Sequence, residues 1–196
     1  RLSWVTPALS IVGARPCSAG GGYQLSKAVE AVFGPITREE SASRIAAAAL
    51  EVPEEQPLIV LAHSGPTGLG SEASSPCGRD WKRPAIDWGD SDLALALDTM
   101  ASRRRPDMVV FGHMHHQLKR GAGLRRSLLQ DRYGTAFVNA ACVPRSGLDG
   151  QNRPVLHLSW AEFEGPRLTH LSHRWYAPDS ELLHQESLPL QGAVAC

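Results

Sequence analysis

The chain reads as an α/β domain. Two short, β-branched-rich runs, Pro57-Leu58-Ile59-Val60-Leu61-Ala62 and Asp107-Met108-Val109-Val110-Phe111, have the length and apolarity of buried strands, and each stops at histidine. The segments before each run carry helical spacing and helix-start signals. In α/β architectures ligands gather at the carboxyl ends of strands, so histidines at two such ends mark a candidate site.

Each element follows in order. Leu9-Ser10-Ile11-Val12 reads as a strand running into Gly13. Arg15 to Gly22 form a Gly-rich loop without phosphate-loop spacing, and the triple glycine reads as a flexible turn. Leu25 to Phe33 has helical spacing and stops at Gly34-Pro35, while Thr37-x-x-Glu40 makes a capping box for a second helix running to about Leu50. Those helices are expected to cover one face of the sheet. After His63 comes a long loop rich in Gly, Ser and Pro; loops of that length inside compact domains are functional or mobile, and it is expected over the histidines. Asp90 or Ser91 caps a helix from about Asp92 to Arg103, with Leu93, Leu97 and Met100 on one side.

Thr135 to Asn139 is a further strand, and Pro154 to Phe163 with Leu168 to Tyr176 form a hairpin around Glu164-Gly165-Pro166. Val155, His157 and Ser159 alternate with Leu156, Leu158 and Trp160, which gives one wet face. His157, His170 and His173 are therefore expected on strands as surface or packing residues, not metal ligands. Residues 177–196 lack clear periodicity and read as a loose tail, with some helical content around Glu181 to His184.

Composition narrows the function classes. A chain of 196 residues with 42% hydrophobic content can bury a core. Lys plus Arg equals Asp plus Glu at 20 each, so there is no electrostatic case for nucleic acid or an anionic membrane. The basic runs Arg103-Arg104-Arg105, Lys119-Arg120 and Arg125-Arg126 read as solvated ends. Cys17, Cys77, Cys142 and Cys196 are scattered without a Cys-x-x-Cys pair, which argues against a zinc finger or disulfide scaffold and for a reducing compartment. No run of about eighteen apolar residues is present. Gly-x-Ser-x-Gly and Gly-Lys are both absent, which removes serine-hydrolase and phosphate-loop readings.

The chemistry concentrates in Gly112-His113-Met114-His115-His116. Neutral imidazole is the commonest protein ligand for zinc-like ions, and histidines two apart on an extended segment point to one side, so His113 and His115 can serve one metal cluster. His63-Ser64-Gly65-Pro66 repeats the pattern, with Gly65 and Pro66 turning the chain away from the imidazole. Three imidazoles can hold a zinc ion but lack the carboxylate that bridges two.

At these residues the chain resembles the calcineurin-like metallophosphoesterases, whose last two metal motifs are a histidine after a strand, often followed by Gly-Pro, and then Gly-His-x-His; His63 and Gly112-His113-x-His115 match in order and type. Val12 to Pro16, Gly65 to Glu72, Cys77 to Trp81, Asp87 to Asp90 and Asn139 to Arg145 are similar to a subgroup found in cyanobacteria and photosynthetic eukaryotes, so the resemblance spans most of residues 9 to 145. It implies two facing β-sheets flanked by helices, with two divalent ions (manganese, iron or zinc) at strand ends and a phosphoester substrate. His63 and His113 would bind one ion and His115 the other. Arg79, Asp80 and Arg145 are implied as contacts to the ligands or the substrate, and His116 either hydrogen-bonds a phosphate or has no role. A plastid or cytosolic setting follows from the subgroup and the thiols.

The family's Asp-x-His, Gly-Asp-x-x-Asp and Gly-Asn-His motifs are absent: Gly89-Asp90 is followed by Leu93 where an aspartate belongs, and Asn139 and Asn152 lack the flanking residues. With Arg1 first, residues 1–176 are expected to be the carboxyl-terminal part of a longer phosphoesterase domain, whose catalytic histidine lies upstream and which turns over little substrate alone. The rivals are a mononuclear zinc hydrolase and a non-catalytic binding or scaffold relative.

Overall fold

A computed structural model describes residues 3–5, 9–119, 123–142 and 145–191. Arg1, Arg120, Val143, Pro144 and Cys196, all used above, lie outside the described residues. The fold is mixed α/β, with two sheets and, among the described residues, three helices. The first sheet holds β1 (Ser3–Val5), β2 (Ser10–Gly13), β3 (Leu58–Leu61), β4 (Met108–Phe111), β5 (Leu128–Gln130) and β6 (Ala136–Asn139) in the order β1-β2-β3-β4-β6-β5. Its four central strands are parallel and both edges antiparallel. The second sheet is antiparallel, ordered β10-β9-β8-β7, from β7 (Ser146–Leu148), β8 (Pro154–Glu164), β9 (Arg167–Tyr176) and β10 (Leu182–Ser187).

The apolar runs are continuous because both faces of the first sheet are covered. Successive side chains point to opposite faces. Leu58, Val60, Val109 and Phe111 meet α2 (Arg38–Leu50) and α3 (Ser91–Met100), whereas Ile59, Met108, Ala136 and Val138 pack with Leu171, Phe163 and Leu168 of the second sheet. The two sheets thus face one another across an apolar layer. The resemblance also implied helices outside the second sheet; among the described residues none lies there.

Local chemistry sets the helix ends. Ser26 caps α1 (Lys27–Phe33), accepting from the Val29 amide. Thr37 and Glu40 close the expected capping box on α2, whose alanines Ala42, Ala46 and Ala49 let α3 approach closely. α3 starts after Asp90, but that carboxylate makes no cap bond. It is taken instead by Arg15, at 3.0 Å, and by the Ser18 hydroxyl. α3 also stops at Met100, short of the expected Arg103.

Several expectations are corrected. The supposed loose tail contains β10, paired antiparallel to β9, so residues 182–187 are strand and not helix. The alternation on β8 resolves with the His157 side inward: His157 is buried, while Leu156 and Trp160 are 49% and 42% exposed. The triple glycine is not a free turn. Gly21 and Gly22 donate to the Trp88 and Gly89 carbonyls, and a Cβ on Gly20, at φ +67°, would sit 2.3 Å from the Trp88 carbonyl oxygen. Two of the basic runs are only partly solvated. Arg104 donates to the carbonyls of Val52, Pro53 and Gln56, and Arg125 is buried. No helix among the described residues is long and apolar enough to cross a membrane.

Candidate metal centre

β3 and β4 are neighbours in register, Leu61 opposite Val110, so their carboxyl ends deliver His63 and His113 side by side. The Gly112 amide donates to the His63 carbonyl at 3.0 Å, extending the ladder past the strands. His63 Nε2 and His113 Nδ1 lie 3.0 Å apart, with ring centroids at 4.9 Å. His113 adopts φ +67°, and the Met114 amide spans it to bond the Gly112 carbonyl. A bulky residue in this left-handed region stores strain of order 1–3 kcal/mol, the kind that clusters at functional sites. Asn139, on the adjacent β6, holds the turn by donating to the Met114 carbonyl at 2.8 Å.

Burial, then the neighbouring His63, lowers the His113 pKa, which keeps its ring neutral and its lone pair free to bind a cation. His63, His113, His115 and Arg145 line one concavity of about 510 Å³. His113 and His115 also line a second, of about 510 Å³, with Asp80 and Trp81 from the long loop. Of that loop, Asp80 and Trp81 stand beside His113 and His115, though not beside His63, and the loop is tied down. Arg125 Nη1 donates to the Ala73, Ser75 and Gly78 carbonyls, each at 2.7 Å, and Nε to the His115 carbonyl at 3.1 Å.

The sequence candidates divide. His63 and His113 come together, and His115 shares their concavities, but the donor atoms of the three do not all lie within 4.8 Å of one another. Arg145 reaches the site and donates to the Ala140 carbonyl. Asp80 lines only the second concavity, with His113 and His115, and is engaged, accepting from the Lys119 amide at 2.6 Å and pairing with Arg125 at 3.5 Å. Arg79 is directed elsewhere, over the Trp88 ring and onto the Pro84 carbonyl. His116 is half-buried, with its pKa lowered by burial, and its amide donates to the Ala141 carbonyl.

Two imidazole nitrogens 3.0 Å apart are hydrogen-bonded without an ion, and a small parting of the rings, to the roughly 3.3–3.4 Å of two nitrogens on one tetrahedral zinc, would let both bind one divalent ion. A carboxylate to bridge two ions is not free here: among the described lining residues Asp80 is spent on Lys119 and Arg125, while Asp90 and Asp92 are held by Arg15. No known family model matches this chain, and no curated protein matches it significantly.

A second cluster went unseen in the sequence. Cys142, His157 and His173 are all buried, and their potential ligand atoms lie within 4.8 Å of one another. This group could hold a metal ion; His157 and His173 are buried on β8 and β9, as packing residues would be, and His170 contacts the Ser172 hydroxyl. No motif spacing links the three residues, because they meet only when the segment leaving β6 folds against β8 and β9.

Proposed function

We propose that this chain supplies the imidazole ligands of a metal-dependent phosphoester hydrolase. The observation that carries the reading is the 3.0 Å approach of His63 Nε2 to His113 Nδ1 at adjacent parallel strand ends, with His113 held in a strained turn. His63 and His113 would hold one ion and His115 a second. Such ions polarise a phosphoryl oxygen and lower the pKa of water. The chain's own part is to keep the imidazoles neutral and aimed, and to offer Arg145, a permanent cation at the same concavity, to the phosphate oxygens. The resemblance to calcineurin-like phosphoesterases supports the same assignment.

The engagement of Asp80, Asp90 and Asp92 favours a second reading, a mononuclear zinc-type binder without turnover. The deciding assay uses protein expressed from the full native transcript, loaded with manganese, iron or zinc, on p-nitrophenyl phosphate and its bis-ester. Metal-dependent hydrolysis that falls roughly 100-fold or more in His113→Ala is expected. One bound ion at the strand-end histidines with no turnover of either ester would replace the hydrolase with the binder.

A further inference from the structure

We propose that Cys142, His157 and His173 form a second metal site, for a zinc-class divalent ion, that staples the two sheets together. The site is independent of the strand-end histidines and of the hydrolase reading. Cys142 lies on the segment leaving β6 of the first sheet, while His157 and His173 project from the paired strands β8 and β9 of the second. They are 4%, 6% and 0% exposed. His157 and His173 sit diagonally across the β8–β9 ladder, Ser159 being opposite His173 and Trp175 opposite His157, so both rings rise on the same face.

The three potential ligand atoms lie within 4.8 Å of one another. His157 Nε2 and His173 Nδ1 are 3.0 Å apart, a few tenths of an ångström closer than the roughly 3.3–3.4 Å of two nitrogens on one tetrahedral zinc ion, so binding needs only a small parting of the rings. Without an ion, a direct hydrogen bond between the rings accounts for this contact. It gives no role to the Cys142 thiol, whose sulfur stands with the two rings inside the same 4.8 Å group, although the Ser159 hydroxyl also lies 3.2 Å from His173 Nδ1.

Burial depresses His157 to about 4 and His173 to about 3, so both rings carry free lone pairs at neutral pH. Burial pushes the Cys142 thiol up to about 11, which works against thiolate, so metal binding has to displace its proton to solvent as the metal–sulfur bond forms. One sulfur and two imidazole nitrogens without a carboxylate select zinc or cobalt over magnesium, calcium or manganese. A fourth position is left to water, as in other zinc sites with three protein ligands.

The test is cobalt titration of the chelator-stripped full chain. One equivalent is expected to develop a sulfur-to-cobalt charge-transfer band that zinc abolishes. Cys142→Ser should remove the band, and His63→Ala should leave it, because the strand-end site offers only imidazoles. X-ray absorption of the zinc-loaded wild type needs no variant and should show one sulfur at about 2.3 Å with nitrogens at about 2.0–2.1 Å. A wild type without the thiolate band, a band retained by Cys142→Ser, or a zinc shell of nitrogen and oxygen alone overturns the proposal.

Discussion

Arg125→Met removes the cation around which the long loop beside His113 and His115 is organised, while keeping a side chain of similar length. The guanidinium donates to three loop carbonyls at 2.7 Å and to the His115 carbonyl at 3.1 Å, and pairs with Asp80, the two side chains being 1% and 6% exposed. A hydrogen bond to a charged group contributes about 1.5–3 kcal/mol, and stranding one partner of a buried ion pair costs about 3–5 kcal/mol. These terms share one side chain and do not add, and the loop can relax toward water, so the expected loss is about 3–5 kcal/mol. That is a large share of a typical folding free energy of about 5–15 kcal/mol. In urea unfolding followed by circular dichroism the midpoint should fall by roughly 1.5–3 M with little change in slope. Arg125→Lys keeps the charge but not the fan of donors, and should fall between. A loss below about 1 kcal/mol in Arg125→Met, or wild-type stability in Arg125→Lys, would refute the reasoning.

Three further outcomes are expected. Gly65→Ala sets a Cβ 2.6 Å from Cys77 Sγ and 2.7 Å from the Phe111 ring, both buried, so calorimetry should record a loss of about 1–3 kcal/mol; an unchanged Tm contradicts the packing. His113→Gly relieves the positive φ, so Tm should hold or rise by roughly 1–3 °C while cobalt binding at the strand-end site weakens; a fall in Tm would show that His113 is unstrained. Burial raises the Asp90 carboxyl from 3.8 to about 6 against the opposing pull of Ser18 and Arg15, so the native state holds its proton more tightly. Its contribution to stability is full below pH 3.8 and is lost as pH rises through about 6. Stability of wild type minus Asp90→Asn should therefore decline between those limits, and a flat or rising difference refutes the assignment.

Much of the fold was legible because its signals are local. The runs at Leu58–Leu61 and Met108–Phe111, the Thr37/Glu40 box and the Gly165 hairpin each declare themselves within a few residues. β10 did not, since it is an edge strand exposed over most of its length and carries no apolar alternation. Asp90 has the chemistry of a helix cap, yet a distant arginine claims its carboxylate. Arg125 looks like a surface cation beside Arg126, and only the folded loop turns it inward.

The sequence by itself determined that two buried strands end in histidine and that helices intervene, since periodicity, caps and turn residues act over neighbouring positions. Only the tertiary structure decided that β3 and β4 lie side by side, bringing His63 and His113 to 3.0 Å, and that Cys142 meets His157 and His173 between the sheets. Strand order and sheet packing join residues far apart in the chain, and no local spacing encodes which of them will touch.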